Sequence, residues 1–109
     1  MAVLYSRVLA RATSFSGGPT IVYSVPAGFI AVVRTMSIVT GSNFGAQDAY
    51  IARHAAEKIM WIALTGVSAI ATAVENGRWV FLPGDQLVFA TNGGLTADFY
   101  VSGYELSEP

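Results

Sequence analysis

The apolar residues of this chain fall in short runs, each closed by a cluster of Gly, Pro, Asn, Asp or Ser, and the runs are rich in Val, Ile, Thr and aromatic residues. That pattern predicts strands and turns. Two stretches stand out. Val25-Pro26-Ala27-Gly28 lies between the runs Tyr23–Val25 and Ile30–Val33, and Leu82-Pro83-Gly84-Asp85 lies between Val80–Leu82 and Leu87–Phe89. Proline fixes φ and has no ladder donor, and glycine accepts backbone angles that other residues avoid. Each unit therefore reads as strand, reversal, strand. Val25 aligns with Leu82, Ile30 with Leu87 and Val32 with Phe89, a match too short for an internal repeat and compatible with two hairpins with similar corners.

The rest of the chain extends the pattern. Residues 2–10 read as a first strand and residues 11–20, rich in Ser, Thr and Gly, as a loop. Thr20–Val25 is a strand, and Phe29–Thr40 is the longest β-prone segment, with apolar residues at both parities: Ile30, Val32, Met36 and Ile38 on one, Ala31, Val33 and Val39 on the other. Such a strand is predicted to be covered on both faces. Gly41–Gly45 is a loop. The segment 48–65 admits two readings. Its alanines and Glu57-Lys58 suit a helix, whereas Ile59, Trp61, Ile62 and Thr65 suit two strands, 48–54 and 57–65, reversing near Ala55-Ala56. The strands agree better with their β neighbours. Residues 66–73 read as a connection, Glu75-Asn76-Gly77 as a turn, Arg78–Leu82 and Gln86–Thr91 as strands, Asn92-Gly93-Gly94 as a turn and Ala97–Leu106 as the last strand, before a polar end at 107–109. About eight strands with a turn signal roughly every ten residues predict an all-β antiparallel sandwich or small barrel.

Composition changes the picture in one respect. The chain has 109 residues, the length of one domain spanning 1–109. Its hydrophobic fraction is 53% and its mean hydropathy +0.52. Charged residues make up 12%, against roughly 25% in an average soluble domain. A small β domain has too little interior for so much apolar surface, so the chain either enters a membrane or buries a second surface against other subunits. The longest uncharged run, Ile59–Val74, is interrupted by Thr65, Gly66, Ser68 and Thr72 and falls short of the roughly 20 apolar residues of a helical span. Arg7 and Arg11 break any signal-peptide core. Burial between subunits is the better reading, with no membrane partner. The net charge of −1 is scattered singly, without the clustered cations that phosphates need, so nucleic acid is not expected as a partner. Without cysteine there is no disulfide framework or thiolate metal site.

The residues present no catalytic motif. His54 is the only histidine, beside Arg53 and three residues before Glu57; metal sites and general bases need further ligands or an orienting partner. Asp85 and Asp98 are a pair of carboxylates to consider, although Asp85 follows Pro83-Gly84, where Asp is a common turn residue. There is no Gly-x-Ser-x-Gly elbow, phosphate loop or calcium loop. No catalytic, metal-binding or cofactor-binding residue is assigned, and no cofactor is expected. The remaining candidates are aromatic. Trp61, Trp79, Tyr100 and Tyr104 suit either a protein interface or stacking against sugar rings, and Tyr100 and Tyr104 share a strand face with Ser102 and Leu106.

Three motifs carry a family resemblance: Val25-Pro26-Ala27-Gly28 with Val32-Val33-Arg34, then Gly77-Arg78-Trp79-Val80-Phe81-Leu82-Pro83-Gly84-Asp85-Gln86-Leu87, then Val101-Ser102-Gly103-Tyr104-Glu105-Leu106. In this order they resemble a group of small virion structural proteins of tailed bacteriophages; 41–74 carries no match. The resemblance implies a jelly-roll-like β-sandwich without enzymatic activity. It implies a capsid-decorating or minor tail protein, located in the virion, that binds the capsid surface or tail as a homo-oligomer such as a trimer, with itself and other virion proteins as partners. The alternative is a carbohydrate-binding module for host attachment, with Trp79 or Tyr100 leading an exposed platform.

Overall fold

The structure is a computed structural model that describes residues 4–41, 45–54, 57–64 and 71–107. Eight strands follow one another: β1 Leu4–Phe15, β2 Thr20–Ser24, β3 Phe29–Thr40, β4 Gln47–Arg53, β5 Glu57–Leu64, β6 Thr72–Phe81, β7 Gln86–Thr91 and β8 Ala97–Ser107. They form two four-stranded sheets, ordered β1-β8-β3-β6 and β2-β7-β4-β5, and every pairing is antiparallel. This is the strand order of a jelly roll, the double-sheet solution that limits exposed edges. Only β4 and β5 are consecutive in sequence and neighbours in a sheet; every other connection crosses to the opposite sheet. The segment with two readings is thus the pair of strands β4 and β5; Ala55-Ala56, the expected reversal, lies outside the described residues.

The core lies between the sheets. Phe89 of β7 stacks on Phe99 of β8 across the sandwich, with centroids 4.5 Å apart and rings inclined by 12°. Phe15 sits edge-on to both. Leu87, Ile51, Met36, Ile38, Phe81 and Val101 continue the core along the sheets and are fully buried. Aromatic pairs in such stacked and edge geometries are worth about 0.5–1.5 kcal/mol beyond the area they bury. Phe15 also explains why β1 outruns the expected 2–10. The first half of the expected 11–20 loop is strand: Arg11 and Ala12 pair with Tyr100 and Phe99, and Phe15 pairs with Ala97, so the ring is carried into the core at the end of the strand.

Three further expectations are corrected. First, the two Pro-Gly units are corners between sheets and not hairpins: β2 and β3 lie in different sheets, as do β6 and β7. They are also not equivalent. In the first turn Phe29 N–H donates to Pro26 C=O and Gly28 takes φ +82°; in the second Asp85 N–H donates to Leu82 C=O and Gly84 takes φ +86°. Glycine holds the third turn position in both, as a positive φ there requires, but proline is the first residue of one turn and the second of the other.

Second, Asn76-Gly77 does not reverse the chain but runs inside β6. Trp79 pairs with Val33 and Asn76 with Thr35, so Gly77 and Arg78 together oppose Arg34. Gly77 is absorbed in a bulge together with Arg78, while Asn76 stays paired with Thr35. Gly77 also makes room for Trp79: a Cβ on Gly77 would sit 3.0 Å from the indole ring.

Third, the two-sided apolar pattern of β3 is partly a change of phase. Val33 faces Gly103 and Thr35 faces Ser102, leaving Arg34 as an extra residue. Past this bulge the inward set becomes Ala31, Val33, Met36 and Ile38, all fully buried in one core. Ile30, Val32, Thr35, Ser37 and Val39 are on the outer face, in rows with the outward residues of β6 and β8. The connection expected at 66–73 lies outside the described residues from 65 to 70, and Thr72 and Ala73 already belong to β6. Residues 42–44 of the expected 41–45 loop and 108–109 of the polar end lie outside them too.

Candidate functional site

The two corners meet. Val25 N–H donates to Asp85 C=O and Gly84 N–H donates to Val25 C=O, at 2.9 and 3.0 Å. The two Pro-Gly motifs, distant in sequence, thus form one end of the sandwich. The third motif joins them through β8, where Tyr104 pairs with Val32, which pairs in turn with Val80.

The titratable residues of this end are used structurally. Asp85 Oδ2 accepts from Leu82 N–H at 2.9 Å, and its Oδ1 lies 3.2 Å from His54 Nε2. The Leu82 bond, the His54 bond, and the positive charges of Arg53 and His54 hold the Asp85 carboxyl below its ordinary value against the opposing effect of burial. His54 takes the left-handed φ of +54°, and its N–H donates to Gln86 C=O. Arg53 donates from Nη2 to Val80 C=O at 3.0 Å and lies 4.4 Å over the Phe81 ring. Asp98, the other carboxylate considered, accepts from Ser14 N–H near the opposite end of β8. Asp85 and Asp98 are therefore not a pair. Among the described residues no group of three or more His, Asp or Glu gathers to hold a metal ion.

The four aromatic candidates separate. Trp79 turns inward and packs against the core cluster, half-buried over Gly77. Tyr100 and Tyr104 lie on the outer face of β8, on the same side as Ser102 and Leu106. Tyr104 belongs to an apolar patch with Ile30, Val32, Val80, Leu82 and Leu106. Val80 and Leu82 are 43% and 56% exposed there. Farther along the same face Val74 sits in one row with Ser37 and Tyr100.

Trp61 lies on the opposite sheet and is 58% exposed. It pairs directly with Tyr50, which pairs on its other side with Ala90. The indole is fixed: Nε1–H donates to Asp48 Oδ2 at 2.8 Å. Lys58 Nζ lies 4.7 Å from the Tyr50 ring centre and 5.0 Å from that of Trp61, a cation over two aromatic faces. Beside the indole an open cleft of about 210 Å³ is lined by Asp48, Ala63, Leu64, Asn92, Ala46 and Gln47. Asp48 N–H donates to Asn92 Oδ1 and Asn92 N–H donates back to Asp48 C=O, so the cleft wall ties β4 to the β7–β8 turn. Reading the sequence alone missed Asp48, Tyr50, Lys58 and Asn92. One of them, Tyr50, was within reach, because Tyr50 and the candidate Trp61 are equally far from a reversal at 55–56 and therefore face each other.

No family model matches this sequence, and no curated protein matches it significantly. Among solved structures it is similar to one described as "Structure of Eiger TNF from S. frugiperda", at 13% identity and a TM-score of 0.47, covering 100% of this chain and 92% of that chain.

Proposed function

We propose that this chain is a non-enzymatic structural subunit of a tailed-phage particle, which associates with itself and with neighbouring virion proteins through the outer face of the β1-β8-β3-β6 sheet. The observation that carries this reading is the apolar patch at the corner end of the outer face, where Ile30, Val80, Leu82, Tyr104 and Leu106 surround a covered Val32 and Val80 and Leu82 are exposed. It gives a physical reason for the low charge: part of the apolar excess lies outside the core, where a neighbouring subunit can cover it. The three motifs that resemble phage virion proteins converge at this same end, and jelly rolls are an established architecture for capsid domains. A stable contact needs about 1,600 Å² of buried surface in total, more than this patch alone, so the contact extends along the face toward Tyr100, Val74 and Val39. Many copies of one such contact reinforce a shell or tube without any chemistry.

The test is sedimentation of the wild type and of Val80→Asp across a concentration series, together with detection of the protein in purified particles. Val80 is 43% exposed, so the substitution leaves the core intact. The reading predicts an oligomer in the wild type, dissociation in the variant and presence in particles. A wild type that stays monomeric at high concentration and is absent from particles overturns it.

A further inference from the structure

The outer face of the other sheet carries a second kind of surface. The geometry points to a binding subsite for a neutral saccharide in the cleft beside Trp61. Three features of the cleft match one chemistry. Trp61 offers a large exposed aromatic surface whose orientation is set by the Nε1–H bond to Asp48 Oδ2. Such a surface stacks on the C–H face of a pyranose ring. Asp48 Oδ1 is shielded from water and has no hydrogen-bond partner. Asn92 is oriented by accepting from Asp48 N–H through Oδ1, which leaves its amide N–H groups without a partner among the described residues. A hydroxyl is both donor and acceptor. One ring hydroxyl can donate to Asp48 and another can accept from Asn92 while the ring lies on the indole.

Other ligand classes fit less well. A purely apolar partner would leave the Asp48 oxygen and the Asn92 amide unpaired, which is costly in a buried contact. A polyphosphate or nucleic acid needs several cations, and among the described residues no Lys or Arg lines this cleft. A cationic ligand would meet Lys58 over the same two rings. Asp48 in the cleft wall and Lys58 over the same indole carry opposite charges, so the surroundings favour an uncharged ligand. The cleft volume of about 210 Å³ lies below the roughly 300–1,000 Å³ of pockets for drug-sized molecules and suits a single sugar unit of a longer glycan. Asp48 Oδ1 is shielded, so a hydroxyl reaches it only after a small local shift of the cleft wall, and a ring stacked on the exposed indole is registered by Trp61 itself.

The chain has two tryptophans, and Trp79 packs against the core. Intrinsic fluorescence that changes on binding and is unresponsive in Trp61→Phe therefore reports this cleft. The experiment is a glycan array of neutral and acidic oligosaccharides probed with the purified full chain, followed by fluorescence titration with the neutral glycan giving the strongest signal. The expected result is binding to neutral glycans, weakened at least tenfold in Trp61→Ala and severalfold in Asp48→Asn, with thermal melts of both variants matching wild type. Absence of binding to any neutral glycan, or equal binding by a folded Trp61→Ala, overturns the proposal. The self-association tested with Val80→Asp uses the opposite sheet, so either reading can fail while the other stands.

Discussion

Among the described glycines, Gly103 is the one where an added side chain would meet main chain most closely. It lies in the centre of the β1-β8-β3-β6 sheet, opposite Val33 and beside the extra residue Arg34. A Cβ built on Gly103 would stand 2.0 Å from the Val32 carbonyl oxygen and 3.0 Å from the Val33 Cα. Both are main-chain atoms of a central strand, so neither can rotate away. Restoring an ordinary contact requires β3 and β8 to part locally by about 1.4 Å, against a strand spacing of about 4.8 Å. That separation stretches adjacent ladder bonds beyond hydrogen-bond length. Overpacking costs about 1–3 kcal/mol, and each weakened bond adds about 0.5–1.5 kcal/mol. Gly103→Ala should therefore destabilise the fold by roughly 3 kcal/mol or more, lowering Tm by roughly 12 °C or more. Circular dichroism melts measure this directly. Gly77→Ala is the matched control, because its Cβ would meet only the Trp79 ring, at 3.0 Å. A side chain can yield, so its cost should stay below about 1 kcal/mol. If Gly103→Ala melts within about 2 °C of wild type, the close approach of β3 and β8 is refuted.

Two more substitutions test the joints of the molecule. The Asp85 carboxyl is held below its ordinary value in the folded chain, so the stability it contributes is complete above the unfolded value of about 4 and is lost as pH falls through the lowered folded value. Melts in increasingly acidic buffers should steepen in wild type and flatten in Asp85→Asn; identical acid limbs would show that the corner does not depend on this charge. Tyr23 donates its hydroxyl to Glu105 Oε2 across the two sheets, and both residues are buried. Tyr23→Phe withdraws that donor from a carboxylate in the core and should cost about 1–3 kcal/mol; a urea midpoint unchanged from wild type contradicts this.

Much of the element order is legible in the residues, and the failures have physical causes. Phe29–Thr40 is both the predicted and the observed third strand. Its inward set is not readable by alternation, because the Arg34 bulge moves Met36 and Ile38 to the same face as Ala31 and Val33. Asn76-Gly77 carries the strongest local turn signal in the chain, yet pairing with β3 and packing under Trp79 keep it extended. That pairing also turns Trp79 inward, a consequence of long-range register that no local pattern contains. The two Pro-Gly corners were visible as turns. Their mutual hydrogen bonds and their crossing between sheets depend on which strands lie side by side. The Trp61 cleft divides in the same way: the Tyr50–Trp61 pair follows from the β4–β5 reversal, whereas Asn92 arrives from a turn forty-four residues after Asp48.

The eighth strand in sequence is an inner strand. β8 lies between β1 and β3, and Phe99 and Val101 belong to the core. Without β8, β1 and β3 have no shared partner and the Phe15 and Phe89 rings lack their third member. That sheet therefore closes only through pairings between strands far apart in sequence, the kind of contact that is entropically expensive to form. β8 is the keystone of the sheet, and deleting it would part β1 from β3 and open apolar strand edges to other chains.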